Sequence, residues 1–222
     1  MIRTDLFARA RRAGRLFLLA TALPLAGCAL AEVGSGPAPQ LFMLTAAHPS
    51  IPPNDLRPRI EIDEFSAPAA IDTARIVQQS GPNEIAYYAG ARWADRAPRM
   101  IENLTIETFE NAGRFGAVSA RDAGLLADYE LVGAIRQFAV VPGDKTEVRV
   151  EFYVRLVRKD TRTVLASRLF DAKAPVDGRG LTPIVAAYDA ALRQVLDSMS
   201  VWAAEEAARA PSVAASGSRG VK

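Results

Sequence analysis

Cys28 has the clearest chemical destiny in this chain: it is the only cysteine, set in Leu25-Ala26-Gly27-Cys28. Arg3, Arg9, Arg11, Arg12 and Arg15 precede it, followed by an apolar run from Leu16 to Leu25. A cationic start, a short greasy core and small residues before a thiol make an export signal that ends in a lipobox. The thiol is the nucleophile for diacylglyceryl transfer. After cleavage and N-acylation the new N-terminus carries three acyl chains of the palmitate type. At about 0.8 kcal/mol per buried methylene, several chains hold a protein on a bilayer where one does so only marginally. The alternative, an ordinary thiol in a core helix, fits the basic leader less well, and the run is short for a membrane span.

Other candidate chemistry is thin. His48 is the only histidine and lies in a proline-rich stretch. One histidine and an acylated cysteine allow neither a His/Cys metal cluster nor a Cys–His pair. A Ser–His–acid triad would have to recruit His48 from that loop. There is no P-loop or GxGxxG, and Gly178-Arg179-Gly180 is a loop before a helix. Glu61 with Asp63, or Glu205 with Glu206, could serve glycosidic chemistry, but an exposed strand face and a helix end make solvation the simpler role. The expectation is no catalytic residue, no metal and no cofactor. Tyr87, Tyr88 and Trp93 form an aromatic segment suited to a partner interface, since Tyr and Trp join apolar area to a polar handle. The competing role is core filling, favoured for Trp93; Trp202 is read as core, or else as an oligomer contact.

The elements that must position these residues follow from periodicity. Residues 28–39 are small, Gly- and Pro-rich, and make a flexible tether. Gln40 to Thr45 is a short strand and Ala46 to Pro58 a loop. Arg59 to Phe65 alternates as a half-buried strand. Arg75–Gln78 and Glu84–Tyr88 flank Gly81-Pro82-Asn83 as a hairpin. A helix capped near Asp95 opens at Pro98 and ends at Gly113; Ala97, Met100, Ile101, Leu104, Thr108 and Phe109 share its face and Ile106 falls off it. Tyr129–Phe138, Thr146–Arg158 and Thr163–Ala172 form a meander, with Pro142-Gly143 as a type II turn. Val148, Val150, Phe152, Val154 and Leu156 mark the packed side of its middle strand. Thr182 as N-cap and Pro183 open the last helix, whose stripe is Val185, Tyr188, Leu192, Val195, Met199 and Trp202. The expected fold class is α+β, an antiparallel sheet with two main helices on one face.

This divides the chain into a signal peptide (1–27), the tether (28–39), a domain (40–208) and a disordered tail (209–222). Removing the signal leaves 195 residues, ample for one core without disulfides. The whole chain carries +2 and residues 1–27 carry +4, so the remainder is about −2. The basic pI belongs to the leader, which removes the main argument for nucleic acid as a partner. Arg11-Arg12 lacks the residues of a twin-arginine signal, so the general secretory route is expected. Ala29, where Asp would favour inner-membrane retention, points to the periplasmic face of the outer membrane.

Several segments in order carry a family resemblance: the lipobox, Leu41-Phe42-Met43-Leu44, Ile60–Phe65, Asp72–Val77, Asn83–Tyr88, Ala91–Asp95 and the helix from Pro98. Together these resemble the auxiliary lipoprotein component of ABC-type transport systems, over residues 28 to about 205. That family includes the lipoprotein of the paraquat-inducible operon and cholesterol transport system auxiliary components. The Gly81-Pro82-Asn83 turn departs from the family's pattern and leaves subfamily and cargo open. The resemblance implies a non-enzymatic part that accompanies an ATPase, a permease and a mammalian-cell-entry-domain substrate-binding protein. It also implies docking of that assembly at the outer membrane, and a homo-oligomer would suit a ring-forming partner. Membrane attachment is through acylated Cys28. The alternative function is a lipid or small-molecule carrier with ligand between sheet and helices; a hydrolase using His48 is the weakest reading.

Overall fold

A computed structural model describes residues 38–52 and 57–210. The signal peptide, Cys28, nearly all of the tether and the tail from Pro211 lie outside the described residues. The chain divides between Ala38 and Pro39, and the fold is that of the second unit. Its elements run β1 (Gln40–Phe42), β2 (Arg59–Ile62), β3 (Arg75–Gly81), β4 (Glu84–Trp93), α1 (Ala97–Asn111), β5 (Ala117–Ala120), β6 (Tyr129–Val141), β7 (Glu147–Arg158), β8 (Thr163–Pro175) and α2 (Leu181–Arg209). The chain is an α+β domain with one eight-stranded sheet.

The sheet is mixed rather than purely antiparallel. β3–β4 and the meander β6–β7–β8 are antiparallel, as their short connections require. β2 lies parallel between β5 and β6, β1 lies parallel to β4, and β3 meets β6 in parallel at Gln78 and Val140. One edge of the long strand β6 is thus shared. Its first residues pair with β2, and its last residues meet the β3–β4 ribbon. Between them Ser66 continues the ladder, its N–H donating to the Gly133 carbonyl at 3.0 Å. There Gly133 lies flat on the Phe65 ring; a Cβ would sit 2.6 Å from three ring atoms, so only glycine admits this approach.

Both helices cover one face. Val148, Val150, Phe152, Val154 and Leu156 of β7 are essentially inaccessible, each burial stabilising by about 1.5–3 kcal/mol. Against them α2 sets Ile184, Tyr188, Leu192, Val195, Met199 and Trp202. Val185 is only partly buried, and Ala187, Ala191, Leu196 and Ala203 widen the stripe because α1 packs on the same helix. α1 buries Met100, Ile101, Leu104 and Phe109, and Ile106 also packs partly against the core instead of standing free. Its buried threonines are satisfied within the helix. The Thr105 hydroxyl donates to the Ile101 carbonyl and that of Thr108 to Leu104, both at 2.7 Å.

The helix starts differ from expectation. Arg96, without a side-chain cap, precedes α1, and the Ala97 N–H donates instead to the Thr73 carbonyl at 3.1 Å. Gly180, at φ +93°, precedes α2, so Thr182 falls inside the first turn. A chain reversal that needs positive φ displaces a side-chain cap there. The strand β5 and the parallel pairings had no local signature.

Candidate functional site

The aromatic segment sits on β4, where the strand pairing is irregular. Arg75 faces Arg92 and Val77 faces Tyr87, so β4 spends three residues more than β3 between the two pairs. Gly90, at φ +67°, lies in that excess. Tyr87 and Tyr88, neighbours in the strand, point to opposite faces, and Trp93 lies beyond the irregularity. Trp93 is 1% exposed and packs edge-on against Tyr188, with ring centroids 5.0 Å apart, and against Phe138 at 5.9 Å. Its indole is a core ring, which removes Trp93 from the expected partner interface: a side chain sealed behind α2 has no surface to offer. Trp202 likewise packs on Phe170 inside the domain.

Tyr87 and Tyr88 are half-buried. The Tyr87 hydroxyl donates to the Ala70 carbonyl at 3.2 Å, and the Arg75 guanidinium lies 3.6 Å over its ring. Tyr88 borders a polar cleft of about 470 Å³ with Lys145, Asp177 and Gly180 at the start of α2. Burial pushes its phenol up. Beneath it Tyr188 is fully buried, its hydroxyl donates to the Val77 carbonyl at 2.7 Å, and burial raises its phenol well above the usual range.

The helix-free face of the sheet divides electrostatically. At the start of β6 the charges are matched. Glu61 points away from the core between Ile60 and Ile62, is 4% exposed, and accepts from Lys159 Nζ at 2.7 Å. Arg121 reaches Asp63 at 2.7 Å and Glu130 at 3.5 Å. Arg59 donates to Asp128, and this hydrogen bond holds the Asp128 carboxyl below its usual range. Glu61 is therefore a buried, paired carboxylate and not the solvated one expected: β5 and β6 flank it in the sheet and Lys159 reaches across to it.

At the other end, Arg92 lies between buried Ala91 and Trp93 and so faces outward, directly opposite Arg75. Next to Arg92 in the sheet is Leu41, 66% exposed, and beyond it Met43, 76% exposed. A cleft of about 460 Å³ opens between this ribbon and β6, with Ile71, Val77, Ile85 and Phe138 as apolar lining and Arg136, Glu84 and Glu151 as charges. Beside it β3 pairs with β6 at a single register position, Gln78 with Val140.

None of this assembles a reaction centre. His48 is exposed in the loop after β1, and among the described residues no hydrogen bond reaches it. Glu205 and Glu206 are taken up by Arg209. Among the described residues no group of three or more potential ligands could hold a metal, and no helix is long and apolar enough to cross a membrane. Sequence reasoning missed Arg75, Arg92, Leu41, Met43 and the cleft. The alternation of Ala91-Arg92-Trp93 would have aimed Arg92 outward, but nothing local predicts its register with Arg75.

Comparison with known proteins agrees with this layout. Uncharacterized protein bll6063 of Bradyrhizobium diazoefficiens is 31% identical over 145 residues, which is 64% of this chain and 38% of that longer protein. The crystal structure of XCC0632 from Xanthomonas campestris, of the DUF330 family, superposes with a TM-score of 0.71 at 25% identity, covering 76% of this chain and 97% of that one. A second crystal structure, of an uncharacterized protein, reaches 0.55 at 13% identity over 77% and 99% of the two chains, a likeness of fold alone. From residue 42 at the end of β1 to residue 200 within α2, the sequence matches the ABC-type transport auxiliary lipoprotein component, and the chain belongs to that family.

Proposed function

We propose that this chain is a lipid-anchored part of a mammalian-cell-entry-type ABC lipid transporter, docking the assembly at the periplasmic face of the outer membrane. One observation carries the reading: a lipobox ending at Cys28 stands just ahead of a domain of the transport-auxiliary family. Residues 1–27 direct export, Cys28 takes the acyl chains, and residues 29–39 let the domain reach its partner. Its described face without helices supplies binding groups rather than a catalytic set. Tyr87 and Tyr88 are partner-facing candidates, and a homo-oligomer would present several such faces at once.

Affinity capture from detergent-solubilised envelope tests this. The cell-entry-domain protein should co-purify with the native chain, and mass spectrometry should find the mature N-terminus at an acylated Cys28. Capture of porins alone, or an unmodified thiol, contradicts the reading.

The cleft beside Val77 and Phe138 favours a second reading, a carrier of a lipid or small molecule. Its ligand would lie beside the β3–β4 ribbon and not between sheet and helices, where the core is filled. Native mass spectrometry showing one lipid per chain would favour this reading over docking.

A further inference from the structure

Arg75 and Arg92 are an unusual pair. Like charges directly opposite in an antiparallel ladder repel, so a strand pair normally avoids them or supplies a counter-charge. Here none of the nearby carboxylates forms an ion pair with either arginine. Asp72 and Glu64 hold Arg96, the first at 2.8 Å, and Asp95 accepts from the Arg96 amide. Glu84 belongs to the far end of the ribbon, opposite Gly81, about 20 Å from Arg75 by strand rise. Among the described residues no carboxylate pairs with Arg75 or Arg92. Arg75 rests on the Tyr87 ring, which aims its guanidinium without neutralising it.

The surroundings are apolar. Leu41 stands beside Arg92 in the sheet, and Met43 follows Phe42, whose ring packs into the core and so leaves both neighbours outside. Ile85, 49% exposed, continues the ribbon. Two guanidiniums with no ion-pair partner among the described residues, next to protruding aliphatic side chains, match an anionic bilayer surface, with phosphates for the cations and acyl chains for Leu41 and Met43.

We infer that the outer face of the β1–β4–β3 ribbon, centred on Arg75, Arg92, Leu41 and Met43, is a seat for anionic phospholipid. The inference rests on the proposed anchoring at Cys28 for its geometry. Cys28 and Gln40 are 12 residues apart, so the tether spans at most about 40 Å and delivers β1 to the same membrane. The anchor confines the domain to the surface; the arginine pair orients it, with the ribbon down.

The chain's single cysteine makes the test clean, since acylation consumes it and an introduced thiol is unique. Full-length acylated protein carrying Met43→Cys, labelled with an environment-sensitive fluorophore, is placed on vesicles of phosphatidylglycerol and phosphatidylcholine, or phosphatidylcholine alone. On the anionic vesicles the label should shift to the blue and be reached by a lipid-borne quencher. The docked-to-undocked ratio should fall about fivefold for each of Arg75→Gln and Arg92→Gln. Raised salt should weaken docking in the unsubstituted ribbon, a control that needs no folding of a variant. A label at Leu126, exposed beyond the opposite end of β6, should stay in water.

Equal signals on both vesicles overturn the inference, as does a stronger response at Leu126. A shift that follows protein concentration without lipid would assign the ribbon to a second copy and also overturn it. Flotation with the vesicles reports the anchor separately. If flotation fails, the Cys28 reading fails, and titrating the same labelled protein with excess anionic vesicles still decides the ribbon.

Discussion

The two ends of the helix-free face treat charge in opposite ways. Around the start of β6, Glu61, Asp63, Glu130 and Asp128 each meet Lys159, Arg121 or Arg59 within the chain. On the β3–β4 ribbon, Arg75 and Arg92 face each other, and among the described residues no carboxylate pairs with either. The first arrangement closes the fold on itself. The second tolerates repulsion and leaves attraction to something outside. Behind both, the helix-covered face has a core built of Trp93, Tyr188, Phe138 and their neighbours. Stability should therefore concentrate on the covered face and the matched end, and recognition on the ribbon.

Substitutions can break or sharpen that division. The largest effect is expected on the covered face, where Trp93→Ala empties a fully enclosed ring site and should cost about 3–5 kcal/mol in urea unfolding. Next comes Lys159→Met, which strands the buried Glu61 carboxylate and should cost about 2–3 kcal/mol; a neutral result would mean the matched end does not help hold the fold. Tyr188→Phe removes the donor to the Val77 carbonyl and should cost about 1 kcal/mol by the same measurement.

On the ribbon the sign reverses. Arg92→Gln relieves a like-charge contact and should leave stability unchanged or raise it by up to about 0.5 kcal/mol. A clear destabilisation would show that the pair is structural after all. Smallest is Asp128→Asn. Arg59 holds the folded Asp128 carboxyl below its unfolded value of 3.8, so as pH falls the unfolded chain takes the proton first. The contribution is complete above about pH 5 and disappears below the folded value. Thermal melts should show a small deficit for the variant at pH 7 that vanishes at strongly acid pH, small because the pair is largely exposed.

The meander was legible because β7 alternates over its whole length and one face is dry. Both helices were legible from their stripes and their early prolines. Their first residues were not, since Arg96 and Gly180 owe their places to chain reversals rather than to capping side chains. Of the aromatic candidates, the type of residue was visible and the direction was not. Alternation alone parts Tyr87 from Tyr88, but where Trp93 points depends on the extra residues that β4 carries near Gly90. Glu61 misled for a similar reason: its alternation correctly aims it away from the core, yet neighbouring strands bury it there.

What the sequence determined alone was local: which stretches alternate, which carry a helical stripe, and the order of charge, apolar run and thiol that ends at Cys28. Those patterns express period and polarity, which are properties of neighbouring residues along the chain. Only the tertiary structure decided that β2 runs parallel between β5 and β6, that Gly133 must admit Phe65, and that Arg75 and Arg92 stand opposite each other. Pairing and register depend on residues brought together across loops and a crossover helix, and no short-range periodicity encodes which strand a given edge will meet.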